Sequence, residues 1–183
     1  MNETLKTIKN RYSCRSYTGE AIEKEKIEAI ALAGVQSPSG LNQQPWKISV
    51  LQNKAMIDEM DDALMAKLAA QEDRTAYDRM MSRGGKVFYN APCMYVIAKL
   101  PNKDMDCGIV AENMALAASS LGLGNVICGM AGVLINDEIG LKYKDKLIPE
   151  GYEFGVALLV GYPTNPEGTP HEPDLSKIIY VNE

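Results

Sequence analysis

Arg11, Ser13 and Arg15 occupy alternate positions of the stretch Arg11-Tyr12-Ser13-Cys14-Arg15. In an extended backbone successive side chains point to opposite sides, so these three would share one face. Two planar guanidinium groups flanking a hydroxyl can grip a phosphate through charge-assisted hydrogen bonds, each contributing about 1.5–3 kcal/mol. The same residues would equally suit a solvated loop paired with Glu20 or Glu23. Alternation turns Cys14 away from the arginine face, so its thiol reads as packing rather than as a nucleophile. A second candidate is Asn125-Val-Ile-Cys-Gly-Met-Ala-Gly132, a short strand running into glycines. There the backbone can approach a flat ligand and turned N–H groups can face it.

Other constellations carry less. Asp104, Asp106 and Glu112 resemble a metal cluster only loosely; capping of a helix and a solvated side explain them more simply. With one histidine in the chain, His171, a histidine-rich metal site is excluded. Ser13 and His171 do not form a nucleophile pair, because the histidine lies in a proline-rich tail. Trp46 reads as core rather than as a stacking platform.

These residues need elements to position them, and 183 residues suffice for one domain (1–183) with a substantial core, burying roughly 70% of the unfolded surface. Net charge is −5, which disfavours nucleic acid as the main partner. No apolar run approaches the ~20 residues that span a bilayer, so no membrane association is expected. Cys14, Cys93, Cys107 and Cys128 are far apart and the amino terminus has no secretory run, which points to a reducing, cytoplasmic location.

Hydrophobic spacing predicts a short amphipathic helix over 3–10 with Leu5 and Ile8 inward, and a second in which Ile22, Ile27, Ile30, Ala31 and Val35 mark the inner side. A turn-rich connection follows, Gln36-Ser-Pro-Ser-Gly-Leu-Asn-Gln-Gln-Pro-Trp46, then a strand over 47–51. Met56, Met60, Leu64 and Leu68 recur every four residues as the apolar side of a helix. A looser helix over 71–83 carries Tyr77, Met80 and Met81, either ordinary core or an adaptable cover for a ligand. Residues 93–98 read as a strand buried on both faces, and 106–121 as a longer helix, capped by Asp104 or Asp106 and stopped by Gly122 and Gly124. Ala111, Ala115 and Ala118 let another helix approach closely. Another short helix is expected over 135–143 and a buried strand over 154–161. The tail, about 164–183, cannot form a core of its own and is expected to lie across a surface or a second subunit.

Taken together, Arg11-x-Ser-x-Arg15-x-Tyr17, Ser37-Pro-Ser-Gly-Leu-Asn42-x-Gln44-Pro-Trp46, Asn90-Ala-Pro92, Glu112-Asn-Met-x-Leu-Ala-Ala118-x-x-Leu-Gly-Leu-Gly124 and Gly161-Tyr-Pro163 closely resemble the nitroreductase family of FMN-dependent NAD(P)H oxidoreductases. The resemblance covers nearly the whole chain in the right order. It implies an α+β fold, a central antiparallel-rich mixed sheet flanked by helices, assembled as an intertwined homodimer with FMN at the interface. By the same resemblance Arg11 and Ser13 match residues that hold the FMN phosphate, with Tyr12 nearby. Arg15 matches a basic residue near N1 and O2 of the flavin, where reduction deposits negative charge that a cation stabilises. Pro38, Ser39 and Asn42 match ribityl and ring contacts donated by the other subunit. The backbone of Gly129, Met130, Ala131 and Gly132 matches the loop that hydrogen-bonds N5 and O4.

The implied activity is a ping-pong cycle in which NADH or NADPH reduces FMN at N5 and a nitroaromatic, quinone or similar acceptor takes two electrons, with no obligate side-chain acid or base and no metal. Azoline dehydrogenation, reductive dehalogenation, flavin fragmentation and a non-catalytic FMN-binding module are alternatives within the resemblance. One departure stands out. Many members carry a Lys or Arg pair after the Gly-Tyr-Pro strand end, whereas this tail reads Thr169-Pro-His171-Glu-Pro173, which implies looser FMN binding or compensation by Lys177.

Overall fold

The computed structural model describes residues 1–181. In chain order its elements are α1 (Glu3–Asn10), α2 (Lys24–Val35), β1 (Trp46–Leu51), α3 (Lys54–Ala69), α4 (Thr75–Met81), β2 (Cys93–Lys99), α5 (Asp104–Ser120), β3 (Gly124–Cys128), α6 (Ala131–Ile135), α7 (Leu141–Leu147) and β4 (Glu153–Gly161). The strands form one sheet in the order β1-β2-β4-β3, with every named pair antiparallel. The parallel component of the expected mixed sheet reduces to an isolated bridge between Ser13 and Asn125.

The continuous apolar run that forms β2 explains the layering, since all seven of its residues are buried and its alternate side chains enter two different cores. On one face Tyr95 and Ile97 pack with Ile27, Ile30, Val110 and Met114 of α2 and α5. On the other, Met94 and Val96 pack with Met60, Leu64, Leu134 and Leu159, under α3 and α6. The Tyr95 hydroxyl donates to the Ile27 carbonyl at 3.0 Å, which satisfies its polar end inside the core. Trp46 is buried as expected. Among the described residues no helix is long and apolar enough to cross a membrane.

Several expectations need correction. Val35 ends α2 in solvent and Ile22 precedes that helix, so the inner side is Ile27, Ile30 and Gly34. In α3 the core position is Ile57 rather than the half-buried Met56, and Asp61 is buried at 1% exposure. Neither Asp104 nor Asp106 caps α5; Asp104 pairs with Lys99 at 3.2 Å and Asp106 accepts from the Gly40 N–H at 3.2 Å. The helix expected over 135–143 is two helices, α6 before it and α7 after Gly140. Asp137 turns its carboxylate back onto the Ile139 N–H and interrupts the path between them. The apolar side of α1 faces outward, with Leu5 53% and Ile8 51% exposed.

Candidate functional site

Residues 11–18 leave α1 and run along the exposed edge of β3 toward the end of β4. The Cys14 N–H donates to the Asn125 carbonyl at 2.8 Å, the Tyr17 N–H to Tyr89 at 3.2 Å and the Thr18 N–H to Tyr162 at 2.9 Å. Cys14 and Tyr17 point inward at 3% exposure each, whereas Arg15 is exposed and Ser13 half-buried. The alternation read from the sequence holds over residues 13–15 and breaks by Tyr17, which would share the face of Ser13 and Arg15 but turns inward. Gly124 permits the close approach, because a Cβ there would lie 2.7 Å from the Cys14 sulfur. Asn125 is buried behind the segment and donates to Ala115 and Ser119 on α5 at 3.0 and 2.9 Å.

The start of the tail returns over this segment. The Thr164 N–H donates to the Ser16 carbonyl at 3.1 Å and the Tyr12 hydroxyl to the Asn165 carbonyl at 3.2 Å. Gly168 lies flat on the Tyr12 ring, where a Cβ would come within 2.0 Å of ring carbon. A groove of about 370 Å³ opens there, bounded by Ser13 and Arg15 on one side and Thr164, Asn165 and Glu167 on the other. Among the described residues the tail brings no lysine or arginine to it. Lys177 pairs with Asp174 at 3.7 Å instead.

A second groove, about 160 Å³, is lined by Arg15, by Tyr89 and by Gly129 and Met130. Arg15 therefore lines both grooves, one bounded by hydroxyls and the other by a glycine turn. Of the four residues expected to meet a flat ring, Gly129 and Met130 reach the groove, while Ala131 and Gly132 are buried in the first turn of α6. Gly132 is small for a packing reason, since a Cβ would sit 2.8 Å from the Phe154 ring.

Arg11 lies apart from Arg15. Its backbone closes α1, its Nε is 3.6 Å from a Glu112 carboxylate oxygen, and it lines a different groove together with Lys6 and Asn10. The change from helical to extended geometry at Arg11 breaks the shared face that pure alternation implies.

Pro38, Ser39 and Asn42 stand farther away. Their loop is tied to the start of α5 through Asp106, whereas Ser13 is tied through Asn125 to Ser119 near its end. Thirteen helical residues between those anchors amount to about 20 Å. Leu41, Asn42 and Gln44 have φ of 53°, 54° and 47°, a concentration of left-handed non-glycine residues. Ser39 steadies the loop by accepting from the Gln44 N–H at 2.9 Å.

Burial raises the Cys14 thiol and the Tyr12 hydroxyl above their ordinary ranges, and pushes the Cys128 thiol up to about 11. Sequence reasoning missed two contributors. Arg79 and Arg83 reach the second groove beside Tyr89, and their spacing of four residues on one predicted helix was the available signal.

Comparison with known proteins bears on this arrangement. The model of the nitroreductase family matches residues 8–162. The chain belongs to the nitroreductase family. Among relatives, it is 31% identical over 172 residues to an Archaeoglobus fulgidus protein provisionally named NADH dehydrogenase/NAD(P)H nitroreductase, covering 89% of this chain and 87% of that one. It is 26% identical over 191 residues to the FMN reductase (NADPH) of Bacillus subtilis, covering 92% of this chain and 69% of that protein. Among solved structures, a Desulfitobacterium hafniense nitroreductase with bound FMN superposes over 100% of both chains with a TM-score of 0.94 and 43% identity. A Bacteroides fragilis nitroreductase with bound FMN does so with a TM-score of 0.87 and 27% identity, again over 100% of both.

Proposed function

We propose that this family member is an FMN-dependent oxidoreductase that carries two electrons from NADH or NADPH, in a ping-pong cycle, to a nitroaromatic, quinone or similar acceptor. The observation that carries this reading is Arg15 lining both a hydroxyl-rich groove and a groove that Gly129 also lines. An elongated ligand with an anionic end and a flat end fits that path, and FMN-bound relatives share the fold.

Ser13 would hold the phosphate, with Tyr12 beside it, and Arg11 would join by turning away from Glu112. Arg15 would place its charge along the N1–C2–O2 edge, where it favours the reduced ring. The Gly129 backbone and Met130 would meet the other edge of the ring. When bound, FMN supplies two-electron transfer through N5. Burial raises the Tyr12 hydroxyl and the Cys14 thiol above their ordinary ranges, so neither is suited to give up a proton, and protons taken up by the acceptor come from solvent.

Pro38, Ser39 and Asn42 reach such a ligand from a second copy of the chain, which makes the functional unit a homodimer. The outward apolar side of α1 and the exposed tail residues Leu175, Ile178, Ile179 and Val181 support that assembly. Four buried free thiols suit a reducing cytoplasm. A tail that reads Thr169-Pro-His171-Glu-Pro173 in place of a basic pair leaves the phosphate clamp thin, so FMN is expected to bind less tightly than in relatives with such a pair.

Absorption spectra of the purified protein should show flavin bands. Mixing with NADH or NADPH in stopped flow should bleach them within the turnover time, and a quinone should restore them. A flavin that neither nicotinamide reduces would replace the reductase with an FMN-binding module.

A further inference from the structure

We infer that Asp61 is a positioning residue for the flavin: from within the wall of the second groove its carboxylate fixes the backbone that carries Tyr89, and its charge opposes reduction of the ring. This rests on the oxidoreductase reading above and adds to it what sets the potential of that site.

Among the described residues Asp61 is the one buried carboxylate, at 1% exposure. It lies midway along α3, and the cation that faces it, Lys86, pairs instead with Asp58 at 3.4 Å. What holds the carboxylate is backbone, with the Val87 N–H donating at 2.8 Å and the Phe88 N–H at 3.3 Å. A neutral amide could meet the same two N–H groups at less cost, because an ionised carboxylate buried without a paired cation loses much of its hydration. A charge kept at such a cost beside a cleft points to a use for it.

The next residue supplies the link to the site. Tyr89 lines the second groove, and both Tyr89 and Asn90 hold left-handed backbone, with φ of 53° and 65°. Non-glycine residues stay in that region only where their surroundings over-determine it. The Tyr89 carbonyl accepts from the Tyr17 N–H at 3.2 Å, and the Asn90 side chain donates to the Tyr17 carbonyl at 3.3 Å. Asp61 thus fastens the turn to which the segment carrying Ser13 and Arg15 is tied.

The charge acts on the same wall through β3. Cys128 also lines the groove. Burial is the main cause that pushes its thiol up to about 11, and the Asp61 charge adds to the shift against the N–H groups of Ala131 and Met130. A field that acts on a thiol in the wall acts on a ring lying against that wall. Hydride taken up at N5 brings two electrons with one proton, so the reduced ring gains negative charge. Arg15, Arg79 and Arg83 line the groove and favour that state, and Asp61 disfavours it. The balance keeps the reduced flavin a strong enough donor to pass its electrons on. Phe88 is one residue from Tyr89, which puts the carboxylate within about 10 Å of the groove. At that separation and an effective dielectric of about 20, one unit charge changes the preference between oxidised and reduced ring on the order of tenfold.

The test is spectroelectrochemistry on three FMN-loaded proteins: the native chain, Asp61→Asn, and Asp62→Asn, which removes an exposed charge from the same helix. Asparagine keeps an oxygen for the Val87 and Phe88 N–H groups and removes the charge. Its preference for reduced over oxidised FMN should rise about tenfold, a midpoint potential higher by about 30 mV for two electrons, while Asp62→Asn stays at the native value. Asp61→Ser is also neutral but too short to hold the two N–H groups. It should show the same rise in potential together with weaker FMN binding and faster hydrogen exchange at Val87 and Phe88, and it reads the potential if the buried amide prevents folding. A native potential in the neutral variants overturns the inference, as does an equal rise in Asp62→Asn. Native FMN affinity and exchange in Asp61→Ser would overturn the positioning role. A native protein without flavin bands removes the oxidoreductase reading and this inference with it, whereas bound flavin that NADH reduces at an unshifted potential in the variants overturns the inference alone.

Discussion

Residues 11–18 and the loop over 37–44 carry the two halves of the proposed site, and they are held in opposite ways. The first is fastened by backbone hydrogen bonds to β3, to the loop before β2 and to the end of β4, with Cys14 and Tyr17 sunk into the core. The second is fastened largely by side chains, holds three non-glycine residues at positive φ and leaves Leu41 94% exposed. A conformation that costs of order 1 kcal/mol per left-handed residue persists where other contacts offset it. Here they are local: turn hydrogen bonds from the Asn42 and Gln43 N–H groups to the Ser39 and Gly40 carbonyls at 3.0 and 3.1 Å, with Asp106 and Lys103 as outside partners. Residues 11–18 are sunk into the core, whereas the loop keeps Leu41 in solvent, where the proposed dimer would act.

The largest effect that would break this contrast comes from Leu41→Gly. Glycine relieves the strain but loosens the unfolded chain, so the stability of the single chain should change by less than about 0.5 kcal/mol. If Leu41 is buried in a dimer, each of two copies loses about 1.5–3 kcal/mol of apolar burial. Sedimentation should then show association weakened by about 3–6 kcal/mol, and an unchanged dimer would place the loop outside the interface.

Arg15→Ala tests the fastened half. Loss of one charge-assisted contact to the reduced ring, about 1.5–3 kcal/mol, corresponds to a midpoint potential lower by about 30–60 mV for a two-electron couple. Spectroelectrochemistry reads this directly, and an unchanged potential would remove Arg15 from the flavin edge. Gly124→Ala should cost about 1–3 kcal/mol in urea denaturation, since its new methyl meets the Cys14 sulfur, and should loosen FMN by displacing Ser13. Wild-type stability and flavin affinity in that variant would mean that residues 11–18 float free of β3.

The smallest effect concerns Asp61. Burial raises its carboxyl above the ordinary range, although the Val87 and Phe88 N–H groups oppose the shift. Between the ordinary value and the raised one, the folded state keeps a proton that the unfolded state has lost, so stability falls as pH rises through that window. Asp61→Asn should lack this slope, and the stability of the native protein relative to the variant should decline with rising pH. Parallel denaturation profiles would show that Asp61 does not titrate in that window.

Much of the scaffold was legible along the chain. The nearly continuous apolar run 93–98 read as a strand buried on both faces, as it is, and Gly-Leu-Gly124 marked the end of α5, because local spacing and the absence of side chains act within a few residues. The register of α3 was less legible, since Met56 and Ile57 are both apolar and only packing selects Ile57. Asp61 was invisible as a core residue because its partners, the Val87 and Phe88 N–H groups, lie 26 and 27 positions away.

The candidate site divides along the same line. The sequence by itself determined that a donor-rich segment near the amino terminus, a glycine turn near residue 129 and a proline-bounded loop near residue 40 exist, since each is a local pattern. Only the tertiary structure decided that Arg15 lines two grooves while Arg11 faces Glu112, that Arg79 of α4 and Arg83 just beyond it line the same groove as Gly129, and that the loop at residue 40 stands about 20 Å off along α5. Those outcomes depend on how helices pack across a sheet, and that packing balances contacts among residues too distant in the chain for any local pattern to record.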